Sequence, residues 1–184
     1  SLAARQDWMK IADFKADGSP LTAADKKANA VICDALKAAY PSIPIISEEN
    51  VNAGYEARKD WEYFWCVDPL DGTKEFISRN GEFTVNIALI DNGIASAGVV
   101  HVPVSGLSYV GELGYGAWKI QPDGAAERIF PTTLTPDHQC LRVVASRSHL
   151  GEREQQIVAR LRERFEDLEM RAQKAVAVSY THLR

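Results

Sequence analysis

Residues 66–76 (Cys-Val-Asp-Pro-Leu-Asp-Gly-Thr-Lys-Glu-Phe) constrain the fold more than any other stretch of this 184-residue chain. The apolar and aromatic run Tyr63 to Val67 just before them predicts a buried strand. Asp68 stands at its C-terminal end. Pro69 cannot donate to a ladder, so the strand is expected to stop there. Asp71 and Gly72 predict a tight turn, and Thr73 to Ile77 a first helical turn. Two carboxylates therefore converge where a strand ends. The N–H groups of Gly72 and Thr73 point out of a helix start. Carboxylate oxygens suit a hard cation such as Mg²⁺, and free N–H groups suit a phosphate oxygen. The plain structural alternative is a surface turn in which Asp71 caps a helix, and a bare Asp-x-x-Asp on its own favours that alternative.

The neighbouring segments narrow the choice. Residues 1–14 read as the end of a helix with Leu2, Trp8, Met9 and Ile11 on its apolar side. Residues 15–22 form a polar loop that ends in Thr22. Thr22 is a good N-cap, and Asp25 three residues on resembles a capping box. Ala28, Val31, Ile32, Ala35, Leu36 and Ala39 continue at helical spacing. Ile43 to Ser47 is a short strand that runs into Glu48 and Glu49, and residues 50–62 read as a loop. Phe83 to Asp91 alternates as a strand, with Phe83, Val85, Ile87 and Leu89 on one face. Asp91-Asn92-Gly93 is a hairpin signal. Strands follow over 94–104, 107–113 and 117–120. This is an antiparallel meander with packed helices, an α+β layered arrangement. Residues 1–136 make an N-terminal α+β lobe. A strand over 141–145 and a helix over 152–165 open an incomplete α/β lobe covering 137–184, with a further strand expected at 175–178.

Bulk composition excludes several classes. A net charge of −4 with interspersed signs offers no basic face for a nucleic-acid polymer. No apolar run approaches membrane-spanning length. Three widely spaced cysteines, Cys33, Cys66 and Cys140, fit neither a disulfide framework nor a zinc site. They point to a reducing, cytoplasmic compartment, and Cys66 reads as core. Peripheral association with an inner membrane stays compatible with this, and oligomeric state, a homodimer included, is left open.

Three acidic stations thus stand at element ends: Asp25, Glu48, and Asp68 with Asp71. Phosphoryl transfer to water needs little more than metal ions, a positioned water and in-line geometry. The stretches Thr22 to Asp25, Ser47-Glu48-Glu49 and Asp68 to Thr73 resemble the lithium-sensitive, magnesium-dependent phosphatase family that includes inositol monophosphatase. The longer strings at 15–22, 68–76, 80–90 and 146–149 are similar to the CysQ type of 3′(2′),5′-bisphosphate nucleotidase. The resemblance covers about residues 8–165. It implies the layered α/β sandwich of the inositol monophosphatase and fructose-bisphosphatase type. It also implies hydrolysis of the 3′-phosphate of adenosine 3′,5′-bisphosphate to AMP, in sulfur assimilation and nucleotide recycling. Two or three Mg²⁺ ions are implied. Glu48, Asp68 and the Leu70 carbonyl would hold the first, and Asp68 and Asp71 would share the second. Glu48 would lie near a third. Thr73 and Asp25 would orient the attacking water. The phosphorylated small-molecule substrate would meet Glu48, Leu70, Asp71, Gly72 and Thr73, its phosphate held by the Gly72 and Thr73 amides.

The chain also departs from that pattern. The family's Gly-Ser-Ser stretch and its later Trp-Asp-x-Ala motif, whose Asp completes the second metal site, are not found. The pattern is expected to stop near residue 178, with Ser179 to Arg184 a foreign junction on a truncated chain. Weakened metal binding and little turnover follow as expectations. The alternatives are an inositol or other sugar phosphatase on the same scaffold, or a non-catalytic metal-binding fragment. An aspartyl-phosphate mechanism needs acids two apart, whereas Asp68 and Asp71 are three apart.

Overall fold

The computed structural model describes residues 12–14, 20–50, 53–131, 140–146, 151–165 and 167–173. The chain divides into two compact units, Ser1–Ile129 and Phe130–Arg184.

In the first unit, β1 (Ala12–Phe14) pairs antiparallel with β2 (Pro20–Thr22), Ala12 opposite Thr22. The helix expected over 1–14 is therefore corrected in its last three residues, where strand pairing overrides helical spacing. Residues 1–11 lie outside the described residues. Helix α1 (Ala23–Ala39) starts as expected. The Thr22 hydroxyl accepts from the Ala24 and Asp25 amides at 3.1 and 3.4 Å, and Asp25 Oδ2 accepts from the Thr22 amide at 2.7 Å. This capping box satisfies amides that a helix start leaves unpaired.

A seven-stranded sheet follows, in the order β3 (Ile45–Ser47), β4 (Tyr63–Asp71), β5 (Thr84–Asp91), β6 (Ile94–Val102), β7 (Leu107–Glu112), β8 (Gly116–Ile120) and β9 (Ala126–Ile129). The β3–β4 pair is parallel and the others are antiparallel. Helix α1 packs on β4, with Cys33 and Val67 among the buried residues. Asn92 (φ 47°) and Gly93 (φ 78°) both adopt the left-handed conformation, as the two-residue β5–β6 hairpin requires. Strand β9 and a one-turn helix α2 (Tyr55–Arg58) were not anticipated.

Two expectations in the central stretch are corrected. Pro69 does not end the strand: β4 runs on to Asp71. Asp68 lies opposite Asn86 and Asp71 opposite Thr84, so Pro69 and Leu70 together face the single residue Val85. That is a β-bulge, where a proline is tolerated because the ladder is already interrupted. Cys66 is exposed rather than core, because it is two residues from Asp68 and shares its side of the strand. Cys33 is the buried thiol.

Helix α3 (Thr73–Ile77) leaves β4 through Gly72 (φ 97°). A Cβ at Gly72 would lie 3.1 Å from the Glu82 carbonyl oxygen and 3.3 Å from Phe83 Cβ. Phe76 and Phe83 meet edge to face at 5.2 Å and pin α3 to the start of β5.

The second unit contains β10 (Cys140–Ser146), α4 (Glu152–Arg164) and β11 (Asp167–Gln173). The two strands are parallel, with Cys140 opposite Asp167, which makes a β-α-β unit. The second strand thus comes earlier than expected: Leu168, Met170 and Ala172 alternate with Glu169, Arg171 and Gln173. The strand expected at 175–178 lies outside the described residues, as does His149. No helix among the described residues is long and apolar enough to cross a membrane.

Replacing Gly72 by alanine is expected to destabilise the chain by about 1–2 kcal/mol, the cost of a Cβ in the left-handed region. Urea denaturation checks this, and an unchanged midpoint would show that the β4–α3 corner relaxes freely.

Candidate functional site

The acidic residues singled out from sequence come together at one end of β4, and each arrives by a separate backbone device. The bulge sets Asp68 and Asp71. Residues three apart on a regular strand face opposite sides. The extra residue in β4 cancels that, so the pair faces the same side, as their partners Asn86 and Thr84, two apart, also do. Parallel register sets Glu48. Ser47 lies opposite Val67, so the next residue falls level with Asp68, and the Glu48 amide donates to the Val67 carbonyl at 3.1 Å.

A polar network, part-buried around Ser47 and exposed at Asn50, fixes that strand end. Ser47 Oγ donates to Asn29 Oδ1 at 2.6 Å, and Asn29 Nδ2 donates to Asn50 Oδ1 at 2.7 Å. The Cys33 thiol donates to Asn29 Oδ1 at 3.3 Å, and the Glu49 amide to Ser47 Oγ at 3.4 Å. Helix α1 therefore holds the Ser47-Glu48-Glu49 corner in place. The Asn29, Cys33 and Asn50 contributions carried no sequence signal, since each looks like ordinary helix or loop polarity.

Asp25 and Thr73 are joined directly. Thr73 Oγ1 donates to Asp25 Oδ1 at 3.1 Å, and the Leu70 carbonyl lies 3.5 Å from the same hydroxyl. A hydroxyl has one proton, so the shorter contact to the carboxylate takes it. Asp25 is 1% exposed, and its other oxygen, Oδ2, accepts from the Thr22 amide and hydroxyl at 2.7 and 2.5 Å. From sequence, capping and catalytic readings of Asp25 competed. In the structure one oxygen caps α1 while the other faces Thr73.

Asp68 carries the strongest electrostatic signature. Its carboxyl is pushed up from 3.8 to about 7, first by burial, then by the charges of Glu48 and Asp71. A hydrogen bond with Glu48 pushes the same way, and the Leu70 amide, which donates to Asp68 Oδ1 at 3.2 Å, opposes the shift. Asp71 accepts from Asn86 Nδ2 at 3.4 Å. Sequence reasoning missed Asn86, although a polar residue between Val85 and Ile87 on a strand was a readable signal.

The donors are oxygens of three carboxylates and one carbonyl, the chemistry of a hard-cation site. Their mutual repulsion, felt at Asp68, is what a bound cation would relieve. Among the described residues, however, no group of three or more Asp, Glu, His or Cys side chains closes into a ready-made cage. An open depression of about 650 Å³ lined by Ser42, Pro44, Trp61, Tyr63 and Leu89 borders the start of β4, and none of the acidic residues above lines it.

The raised carboxyl makes a pH prediction. Between about pH 4 and 7 the folded chain keeps a proton on Asp68 that the unfolded chain releases. Its contribution to stability therefore falls as pH rises through that window, and levels off above it. Asp68→Asn removes the charge. In metal-free buffer its thermal midpoint is expected to exceed that of the wild type at pH 8, with the gap closing by pH 4. A gap that stays constant across this range would show that Asp68 is not electrostatically strained.

Comparison with known proteins supplies the family and the fold. The family model described as the inositol monophosphatase family matches residues 5–183, a span that continues past residue 178, where the pattern was expected to stop. The 3′(2′),5′-bisphosphate nucleotidase CysQ of Escherichia coli strain K12 is 50% identical over 135 residues, covering 73% of this chain and 52% of that protein. Its counterpart in Buchnera aphidicola subsp. Acyrthosiphon pisum is 40% identical over 139 residues, 76% of this chain and 50% of that one. The chain spans about half the length of the curated relatives it matches. Among solved structures, CysQ from Bacteroides thetaiotaomicron superposes with a TM-score of 0.69 at 38% identity, covering 92% of this chain and 68% of that one. A Thermotoga maritima IMPase shares the fold with a TM-score of 0.63 at 22% identity, over 91% of this chain and 61% of its own. A match over nearly the whole chain, on a fold shared with these structures, places this chain in the inositol monophosphatase family.

Proposed function

We propose that this chain belongs to a Mg²⁺-dependent phosphatase that removes the 3′-phosphate of adenosine 3′,5′-bisphosphate, leaving AMP. The observation that carries the reading is the Thr73–Asp25 pair, set beside the Glu48, Asp68 and Asp71 carboxylates. A structural capping residue has no need of a hydroxyl 48 positions away in sequence. Similarity to curated CysQ proteins at 50% identity favours the nucleotide over an inositol phosphate.

The family resemblance implies the roles, and the geometry is compatible with them. Glu48, Asp68 and the Leu70 carbonyl would hold one Mg²⁺, and Asp68 with Asp71 a second, with a third near Glu48. Bound there, the metal would offset phosphate charge and make water a better nucleophile. The Thr73 hydroxyl passes its own proton to Asp25 Oδ1, leaving a lone pair to accept from an attacking water. Asp25 takes up positive charge through that link while its second oxygen stays engaged at the α1 cap. The Gly72 and Thr73 amides would hold the phosphate oxygens at the β4–α3 corner. The left-handed Gly72 makes the turn at that corner, where a Cβ would press on the Glu82 carbonyl and Phe83. Residues 1–136 would form the metal- and phosphate-binding lobe, and 137–184 would belong to a second α/β lobe. The cytoplasm, where the cysteines stay reduced, is the proposed location.

Phosphate release tests this, with adenosine 3′,5′-bisphosphate and inositol 1-phosphate compared side by side. Slow, Mg²⁺-dependent and Li⁺-sensitive release from the nucleotide is expected, and Thr73→Ala is expected to lower it by roughly a hundredfold or more. Faster release from inositol 1-phosphate would overturn the substrate, and release indifferent to Mg²⁺ would overturn the metal. Full activity in Thr73→Ala would remove Thr73 from the mechanism.

A further inference from the structure

Strand β5 presents Thr84, Asn86 and Ala88 on the side that faces the carboxylates of β4, and Val85, Ile87 and Leu89 on the other. Asparagine is disfavoured inside strands. Asn86 nevertheless occupies the middle of this one, directly opposite Asp68, between two β-branched residues. Its amide is fully engaged on one side only. Nδ2 donates to Asp71 Oδ2 at 3.4 Å, while Oδ1 is buried with no hydrogen-bond partner. Turning the amide over would set Oδ1 against a carboxylate oxygen, so the charge on Asp71 fixes its orientation. A buried, unpaired carbonyl oxygen is costly, and a leucine of nearly the same shape would avoid that cost. Retaining asparagine there makes sense if the bond to Asp71 has a function. The register supplies one. Asp71 is the last residue of β4, beyond the bulge and next to the left-handed Gly72, so the ladder alone constrains its carboxylate poorly.

We infer that Asn86 is a positioning residue: from the neighbouring strand it holds the Asp71 carboxylate in the orientation that a divalent cation shared with Asp68 requires. The inference rests on the metal reading above and deepens it. Hydrogen bonds of this kind to a ligand carboxylate typically change metal affinity by about tenfold to a hundredfold. Asn86 itself touches neither the cation nor the substrate.

Two readouts on the 184-residue chain test it. The first needs no metal. In ¹⁵N-labelled protein the side-chain NH₂ signals of Asn86, assigned by their loss in Asn86→Leu, are expected to shift when Asp71 is changed to Asn. Signals that do not move would overturn the contact. The second is Mn²⁺ titration followed by electron paramagnetic resonance. Asn86→Leu is expected to bind about tenfold or more weakly than wild type, and to add little to the loss already caused by Asp71→Asn. Its urea midpoint is expected to equal or exceed that of wild type, which separates lost positioning from lost folding. Unchanged Mn²⁺ affinity in Asn86→Leu, or a loss that adds fully to that of Asp71→Asn, would overturn the positioning role. If the wild-type chain binds no Mn²⁺, the metal reading itself fails, and the NMR shift still decides whether Asn86 holds Asp71.

Discussion

One inserted residue organises the site. Pro69 and Leu70 occupy the space opposite a single residue of β5, and that irregularity turns Asp68 and Asp71 onto a common side. Without it the two carboxylates would face opposite sides of the sheet and could not share a ligand. The bulge also frees the Leu70 amide from the ladder to bond Asp68, and leaves the Leu70 carbonyl near Thr73. The proline suits the position because no ladder donor is wanted there. The spacing Asp-Pro-Leu-Asp is thus a backbone specification as much as a set of ligands.

Around that irregularity, regular elements supply the rest. Parallel pairing of β3 with β4 sets the level of Glu48. Helix α1 contributes twice, through the capped N-terminus that carries Asp25 and through Asn29, which holds Ser47 one helical turn further on. The result buries and concentrates negative charge, and Asp68 shows what this costs the fold: burial first, and then the charges of Glu48 and Asp71, drive its carboxyl towards neutrality. Such crowding weakens the folded chain, a cost common at functional sites.

Much of this was legible in the sequence, and the failures have physical causes. The capping box of α1, the β5–β6 hairpin and the convergence of Asp68 and Asp71 followed from turn chemistry and alternation, which are local, whereas joining Glu48 to them rested on the family resemblance. Whether Asp25 served the helix alone was not decidable locally, since its contact with Thr73 spans 48 residues. Pro69 misled because the rule that ends strands at proline has bulges as its exception. Cys66 misled because an apolar run hides which side each residue takes until register is known. Strand β11 was overlooked because charged residues masked its alternation.

Asp25 has a consequence for how relatives of this chain are read. One of its oxygens seals the start of α1 while the other receives the Thr73 proton. A descendant that abandoned catalysis would still be under pressure to keep this acid, because losing it would fray the helix. Thr73 has no comparable capping duty: among the described residues its hydroxyl reaches only Asp25 and the Leu70 carbonyl. Of the two, the threonine is therefore the more informative marker of a working hydrolase, and an aspartate found here without it would point to a scaffold that has kept its shape and retired from chemistry.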